Sequence, residues 1–289
     1  MEPLTTLDGL QLHLQHWPAP GVSAARGTVQ IVHGLGEHIG RYAHVAAALN
    51  AAGWFVAGHD LRGHGRSTGQ RGRLADSHAM LADVAVVHDT LRRARPGGPF
   101  VLLGHSLGGL IAARFAAEAL TAAPAPWSRP LDGLVLSSPA LDLGMSAVQK
   151  GLLAVLGSLA PNLGVGNGLK PAWISRDSAV VKAYVDDPLV HDRVSPRLVR
   201  FIVDSGELVR GVAPRWTLPT LLMWAGADRC VAPAGSAAFA AAAPQSVLTA
   251  QVFPDLAHEI FNEPEREQVL ARLTGWLDRY PQPTVGGTP

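Results

Sequence analysis

A serine, a histidine and an aspartate in this chain stand where they could act together as a nucleophile, its base and the partner of that base. Ser106 is the central residue of 104–108, Gly-His-Ser-Leu-Gly, which fits the pattern Gly-x-Ser-x-Gly. A serine hydroxyl is a weak nucleophile at neutral pH, so a base held in one tautomer must take its proton. The chemistry that this pattern predicts is acyl transfer, with Ser106 attacking a carbonyl carbon.

The residues around Ser106 predict a strand, a tight turn and a helix. Residues 100–103 form a short apolar run, and a helical pattern begins at Leu107 and continues to Leu120. The turn strains the serine backbone, and glycines two residues before and after it avoid collisions with neighbouring backbone. The alternative, a glycine-rich turn in which the serine only caps the helix, is disfavoured by this combination. The helix start also places the Leu107 N–H where an oxyanion would form.

Asp228 and His258 are the predicted partners of the nucleophile because each follows a late strand. Catalytic groups of open parallel sheets lie beyond the carboxyl ends of strands, and the order here is serine, acid, histidine. Asp228 follows the predicted strand 220–224, and His258 follows the predicted strand 247–253. Asp255 competes for the acid role, but it shares a loop with His258 and is predicted to make a local turn. A loop histidine that only meets solvent is the alternative for the base.

Two further loops combine histidine, glycine and acidic residues. The first, 33–38, reads His-Gly-Leu-Gly-Glu-His and follows a predicted strand. A second oxyanion donor is expected from this loop, and Leu35 is the predicted donor. Its two histidines suggest a metal, but only Glu37 stands near them, so metal binding is the weaker interpretation. The second loop, 59–67, is interpreted as structural, with side chains bonding the backbone.

Strands and helices alternate along most of the chain, which predicts an α/β fold with a mostly parallel sheet covered by helices on both faces. Asp8 and Gly9 predict a hairpin turn at the start, and the alternation stops between about Ala140 and Leu218, where no convincing strand occurs. An inserted helical cap is expected there. The predicted division is a core at 1–139 and 219–280, a cap at 140–218 and a tail at 281–289. The predicted strands are 28–32, 54–58, 100–103, 134–136, 220–224 and 247–253, and the predicted helices are 42–49, 81–91, 107–120, 236–243 and 269–277.

One predicted helix of the cap has a continuous apolar face. Its apolar residues recur at helical spacing and are Val148, Leu152, Val155, Leu156 and Leu159. This face could contact lipid or line an acyl tunnel, or it could pack on the core. The sequence leaves both interpretations open.

Composition narrows the class of protein. The 289 residues include 24 basic and 23 acidic side chains, so no nucleic-acid surface is expected. The single cysteine, Cys230, excludes an internal disulfide framework and a thiolate-based metal site, and acyl transfer needs neither a metal nor an organic cofactor. No signal-peptide pattern occurs and no apolar run reaches the ~20 residues of a membrane span, so a cytoplasmic protein is expected. Peripheral membrane contact through the cap stays open, and the sequence does not indicate an oligomeric state.

The motifs together resemble the monoacylglycerol lipase and lysophospholipase branch of the α/β-hydrolase superfamily. The resemblance covers nearly the whole chain and rests on residues 33–38, 40–42, 60–67, 104–109, 227–229 and 258, with cap segments 161–163 and 184–189. It implies an α/β-hydrolase fold in which Ser106, Asp228 and His258 form the triad. It also implies that Leu35 and Leu107 form the oxyanion hole.

The activity implied by the resemblance is release of a fatty acid from a monoglyceride or a similar single-chain lipid ester, a small-molecule substrate. Glu37, Arg41 and Tyr184 match family positions near the polar head of the substrate. Mammalian lipases of this type carry a second histidine near the glycerol head, and the residue at that position here is Phe261. Two alternatives are a short-chain carboxylesterase with no glycerol-head preference and a non-catalytic binding protein of the same fold.

Overall fold

The chain forms a seven-stranded, mostly parallel sheet with helices on both faces. The computed structural model describes residues 3–17 and 25–280. The strands are β1 (Leu4–Thr5), β2 (Gln11–Leu12), β3 (Leu14–Trp17), β4 (Thr28–Val32), β5 (Phe55–His59), β6 (Phe100–His105), β7 (Gly133–Ser137), β8 (Val165–Gly166), β9 (Arg193–Val194), β10 (Thr220–Ala225) and β11 (Leu248–Phe253). The helices are α1 (Ala43–Ala51), α2 (Ala79–Ala94), α3 (Leu107–Ala117), α4 (Ala147–Leu159), α5 (Ser178–Asp186), α6 (Pro196–Val212), α7 (Pro233–Ala242) and α8 (Arg266–Leu277). The predicted fold class is confirmed.

The order of strands in the sheet is β11-β10-β7-β6-β4-β5-β3, and only the edge strand β3 is antiparallel to its neighbour. Every residue of β4, β6 and β7 is buried, as expected for parallel strands covered on both faces. Alternate side chains enter two different cores: Val101 and Leu103 pack towards α1 and α8, while Leu102 packs towards α2, α3, α6 and α7. This packing holds the carboxyl ends of the central strands at one edge of the sheet.

The beginning of the chain departs from the prediction in one respect. The expected hairpin is present, because β1 pairs with β2 and Gly9 has a φ of 86° in the turn. Leu10, Leu12 and Leu14 alternate with polar residues after this turn, but they do not form one continuous strand, and β3 joins the main sheet beside β5. The break falls at His13, whose N–H donates to Ser67 Oγ at 2.9 Å and whose carbonyl accepts the Asp60 N–H at 2.9 Å. Two segments lie outside the described residues: residues 18–24, which belong to a stretch rich in proline and glycine, and the predicted tail 281–289.

The segment predicted as a cap contains α4, α5 and α6 and, unexpectedly, a short antiparallel strand pair. β8 pairs with β9 over two residues each, a length too short to show any alternation in sequence. The last helix of the segment, α6, buries Leu198, Ile202 and Val209 in the core beside α3. The limits 140–218 stay a prediction, and within them α6 is part of the packing on the sheet.

The apolar face of α4 is exposed. Val148 is 82% exposed, Leu152 58% and Leu159 79%, whereas Leu153 on the opposite side is buried. The helix begins with a capping box, in which Ser146 and Gln149 exchange side-chain to backbone hydrogen bonds. The interpretation that this face packs on the core is therefore wrong. In the part of the chain that the structure describes, no helix has the length and apolar character needed to cross a membrane.

Candidate active site

Ser106 lies on a strained turn between β6 and α3. Its φ is 55° and its ψ is −120°, a conformation that costs a non-glycine residue energy. A side chain at Gly104 would place its Cβ 2.2 Å from the carbonyl oxygen of Gly108, and one at Gly108 would lie 2.1 Å from the Val32 oxygen. Both glycines are therefore required by close backbone approach, as the sequence predicted. The turn presents Ser106 Oγ above the carboxyl end of the sheet.

A chain of two hydrogen bonds joins Ser106 to His258 and Asp228. His258 Nε2 lies 2.8 Å from Ser106 Oγ, and His258 Nδ1 lies 2.6 Å from Asp228 Oδ2. The other oxygen of Asp228 accepts the backbone N–H groups of Cys230 and Val231 at 2.8 and 3.0 Å. These bonds fix the carboxylate, which in turn requires the proton of the neutral imidazole to sit on Nδ1. The arrangement can therefore take a proton from the Ser106 hydroxyl at Nε2. The competing acid, Asp255, is exposed, and the carboxylate that bonds His258 Nδ1 is that of Asp228.

The electrostatic surroundings of His258 favour its protonated form. Burial lowers the pKa of the imidazole, but the charge and hydrogen bond of Asp228, with the charges of Glu259 and Glu37, raise it above the ordinary value. The ring of His105 lies 4.8 Å from that of His258, and burial lowers the pKa of His105 to about 3. His105 therefore stays neutral near pH 7, and no second positive charge competes with the imidazolium that forms during proton transfer.

The loop after β4 lies directly against the nucleophile. A side chain at Gly34 would place its Cβ 3.1 Å from Ser106 Cβ, so the next residue, Leu35, is beside the reacting atoms. Leu107 is the first residue of α3, and its N–H has no carbonyl four residues earlier in the helix to bond. Leu35 lines the cavity over Ser106 and Leu107 directly follows Ser106, and their role as oxyanion donors stays a prediction. The loop is held from the cap side, where His191 donates its N–H to the carbonyl of Gly36 at 2.8 Å.

A cavity of about 360 Å³ lies over Ser106, between the sheet and the segment predicted as a cap. Its wall on the cap side is mixed. The apolar residues there are Leu169, Pro171, Ile174, Val185 and Val190, and the polar or charged ones besides Tyr184 are Asn167, Lys170, Asp187, His191 and Asp192. Ile174 is tied to the base, because its carbonyl accepts the N–H of Glu259 at 2.8 Å. Of these apolar wall residues, only Val185 lies in a motif that the sequence analysis named, because the others belong to no predicted helix or strand.

Two of the four residues predicted to bind substrate line this cavity, and two do not. Glu37 and Tyr184 are in its wall, whereas Arg41 and Phe261 are absent from the wall as far as the described residues show. Phe261 is 3% exposed and packs in the core beneath α1 and α8. Arg41 lies behind the wall, between two carboxylates. Neither side chain lines the cavity, and the contact of these two residues with substrate stays a prediction.

The polar loop 59–67 is structural, as predicted. Asp60 accepts the N–H of Ile39 through one oxygen and the N–H of Arg66 through the other, both at 2.8 Å. The two histidines of the first loop are engaged as well: His33 Nε2 accepts the Leu61 N–H at 2.8 Å, and His38 Nε2 lies 2.8 Å from an Asp187 oxygen. These contacts connect the loops after β4 and β5 to each other and to the cap.

The described residues bring three potential metal donors together: Asp228, Cys230 and His258 lie with their donor atoms within 4.8 Å of one another. Asp228 and His258 are hydrogen-bonded to each other, and burial strongly raises the pKa of the Cys230 thiol. A thiol that holds its proton is a poor metal ligand. The donor set therefore fits proton transfer better than metal binding.

One functional neighbour of the base was missed in the sequence. Glu259 directly follows His258, is buried and forms two hydrogen bonds with Arg41. An acidic residue beside a predicted catalytic histidine was a signal that could have identified it. Its partner could not be identified in the same way, because Arg41 is 218 positions away in the chain.

The comparisons with known proteins agree with this geometry. Residues 23–265 match the family model described as serine aminopeptidase, S33. A monoacylglycerol lipase of Mycolicibacterium smegmatis is 37% identical over 255 residues, which cover 87% of this chain and 88% of that protein. Phospholipase YtpA of Bacillus subtilis is 31% identical over 259 residues, covering 87% and 95%. The crystal structure of a monoacylglycerol lipase from Paleococcus ferrophilus superposes with a TM-score of 0.80 at 34% identity, covering 93% of this chain and 99% of that one.

Proposed function

The chain belongs to the serine aminopeptidase S33 family of α/β-hydrolases, in its monoacylglycerol lipase branch, and we propose that it hydrolyses monoacylglycerols and related single-chain lipid esters. It is a serine hydrolase that acts on lipid esters. The observation that carries the proposal is the hydrogen-bonded series Asp228–His258–Ser106 at the floor of a cavity whose cap side contributes Leu169, Ile174 and Val185. Neither a short-chain esterase nor a binding protein is favoured by the relatives.

In the proposed reaction, His258 takes the proton of Ser106 as its oxygen attacks the ester carbonyl carbon. The N–H groups of Leu35 and Leu107 stabilise the oxyanion of the tetrahedral intermediate. The carbonyl re-forms as the alcohol leaves with the proton from His258, and the acyl group remains on Ser106. Water then attacks the acyl-enzyme with His258 again as base, and the fatty acid is released.

The cavity supports a substrate with one acyl chain. Its volume of about 360 Å³ is at the small end of the range of roughly 300–1,000 Å³ for ligand pockets. The apolar side chains of the wall suit an acyl chain, and Tyr184 brings a hydroxyl group to the same wall. We assign Tyr184 to the alcohol part of the substrate. Residues 140–218 serve as the cap over this cavity.

Hydrolysis of a series of monoacylglycerols of increasing chain length, beside simple esters with the same acyl chains, tests this function. We expect kcat/KM to rise towards long monoacylglycerols, because each added methylene removes more apolar surface from water. Ser106→Ala protein serves as the blank. A maximum at short simple esters, with no preference for the glycerol esters, would contradict the proposed substrate class.

The exposed face of α4 is the proposed contact with a lipid surface. An apolar stripe that is more than half exposed at Val148, Leu152 and Leu159 is costly in water, and an exposed apolar patch of this kind marks an interaction site. The contact is peripheral, since only one face of this helix is apolar.

Replacing Leu152 and Leu159 together by glutamine is expected to weaken binding to phosphatidylcholine vesicles roughly 10- to 100-fold, because two apolar side chains no longer enter the lipid. Hydrolysis of a dissolved short-chain ester should stay unchanged. Leu7, 86% exposed and outside the cap, provides the matched control as Leu7→Gln. Equal vesicle binding by the double variant and the control would exclude α4 as the lipid contact.

A further inference from the structure

Three buried charged side chains connect the loop beside the nucleophile to the loop that carries the base. Arg41 Nη1 donates to Glu37 Oε2 and to Glu259 Oε1, and Arg41 Nη2 donates to Glu259 Oε2, each at 2.6 Å. The side chains are 4% exposed for Glu37, 12% for Arg41 and 6% for Glu259. We name this group the Glu37–Arg41–Glu259 clamp.

One end of the clamp reaches the backbone beside the proposed oxyanion donor. Glu37 Oε1 accepts the N–H of Gly34 at 2.6 Å and the hydroxyl of Tyr42 at 2.7 Å. Burial opposes ionisation of Glu37, but the charge of Arg41 and further neighbours hold its pKa at about 2. Glu37 is therefore a carboxylate that fixes the peptide between His33 and Gly34, which directly precedes the peptide that carries the Leu35 N–H.

The other end of the clamp reaches the base. Glu259 is the residue after His258, and its Oε2 also accepts from the side chain of Asn262 at 2.8 Å. The bidentate pair of hydrogen bonds from the planar guanidinium of Arg41 restrains both the distance and the orientation of this carboxylate. The position of His258 relative to Leu35 is consequently set through Arg41.

The clamp is not free to bind substrate. Glu37 and Glu259 are in the cavity wall, but both oxygens of each already accept hydrogen bonds. The ring of Tyr184, another wall residue, lies 5.0 Å from the Arg41 guanidinium. A ligand hydroxyl would have to displace charge-assisted bonds that are already short and buried. The clamp also carries one surplus negative charge, because it contains two carboxylates and one guanidinium.

We propose that the Glu37–Arg41–Glu259 clamp positions two loops for acyl transfer, the loop that carries Leu35 and the loop that carries His258. Its surplus negative charge also stabilises the imidazolium of His258. The three residues are positioning residues, since they act through Gly34 and His258. This inference rests on the proposed function.

Glu259→Gln tests the charge while keeping the size of the side chain. We expect kcat on a dissolved ester to fall roughly 10- to 100-fold, as when orienting partners of metal-bound histidines are replaced, with KM nearly unchanged. The acid limb of the pH–rate profile should move to lower pH. Loss of a negative charge makes the imidazolium harder to form, so the neutral base survives to lower pH. The titratable groups that face His258 are Asp228, Glu259, Glu37, His105 and Cys230.

Each rate is divided by the concentration of Ser106 that reacts with a fluorophosphonate. This normalisation distinguishes a lower turnover of correctly folded active sites from a smaller fraction of folded protein. Asp204→Asn is the matched control, because Asp204 pairs with Arg200 at 3.0 Å on the exposed surface of α6. An unchanged kcat and an unmoved acid limb would overturn the proposal. A raised KM with unchanged kcat would do the same, since it would make the clamp a substrate site.

Arg41→Lys keeps the positive charge but removes the bidentate hydrogen bonds to Glu259. This variant tests the proposal if the Glu259→Gln protein does not fold. We expect a lower kcat per labelled site with an unmoved acid limb, and an unchanged kcat would reject the positioning role. Inactivity of the unsubstituted protein on every ester would reject the proposed function and the clamp with it. An active protein whose clamp variants match it would reject the clamp alone.

Discussion

Replacing Ser106 by alanine is expected to lower kcat on every ester about 10⁶-fold, the size of loss found when the nucleophile of a serine hydrolase is removed. This factor corresponds to ~8 kcal/mol of transition-state stabilisation. His258 Nε2 would then face a methyl group, and no acyl-enzyme could form. The measurement is turnover of a chromogenic ester, together with covalent labelling by a fluorophosphonate.

Ser138 offers a matched control for this substitution. It is buried, also has a positive φ, of 40°, and follows β7 as Ser106 follows β6. Its hydroxyl only accepts the N–H of Ala225, at 3.3 Å. Ser138→Ala is therefore expected to keep kcat within a few-fold and to retain labelling. Residual labelling of the Ser106→Ala protein would assign the nucleophile to another residue.

Asp228→Asn is expected to lower kcat about 10⁴-fold, or ~5.5 kcal/mol, while the protein stays folded. The N–H groups of Cys230 and Val231 both donate to Oδ1, so the asparagine oxygen will occupy that position. The amide NH₂ then faces His258 Nδ1 and donates to it. The proton of the imidazole consequently moves to Nε2, where it prevents that nitrogen from accepting the proton of Ser106.

Asp255→Asn is the control for this change, because Asp255 lies in the same loop as the base but is exposed. It should turn over at the rate of the unsubstituted protein. Circular dichroism and the unfolding temperature of both variants show whether they are folded. Near-normal turnover by Asp228→Asn, or a large loss in Asp255→Asn, would move the role of the acid to another residue.

The features that could be predicted from the sequence are those set by local pattern. The strand Thr28–Val32 has the predicted limits, because its five residues are all buried and form one uninterrupted strand-like run in the sequence. The glycines on either side of Ser106 likewise report a close backbone approach within a few residues. Asp228 and His258 could be identified because the ends of parallel strands meet at one edge of the sheet, so position along the chain specified position in space.

The features that could not be predicted depend on long-range packing. Arg41 stands at a family position and Phe261 replaces the second histidine of the family, and their side chains turn towards Glu259 and the core respectively. The direction of a side chain on a loop depends on its neighbours in space. For Arg41 one of these, Glu259, is 218 residues away in the chain. The strand pair β8–β9 could not be predicted either, because strands of two residues are too short to show a periodic pattern of apolar residues.

The order of the strands has a consequence for when activity arises during folding. Ser106 follows a strand at the centre of the sheet, whereas Asp228 and His258 follow β10 and β11, the last two strands in the chain and the pair at one edge. A partly assembled sheet can hold the strained serine and its oxyanion loop without any means of deprotonating the hydroxyl. Recovery of esterase activity on refolding therefore reports the docking of this C-terminal edge. It cannot precede that docking, however early the central strands assemble.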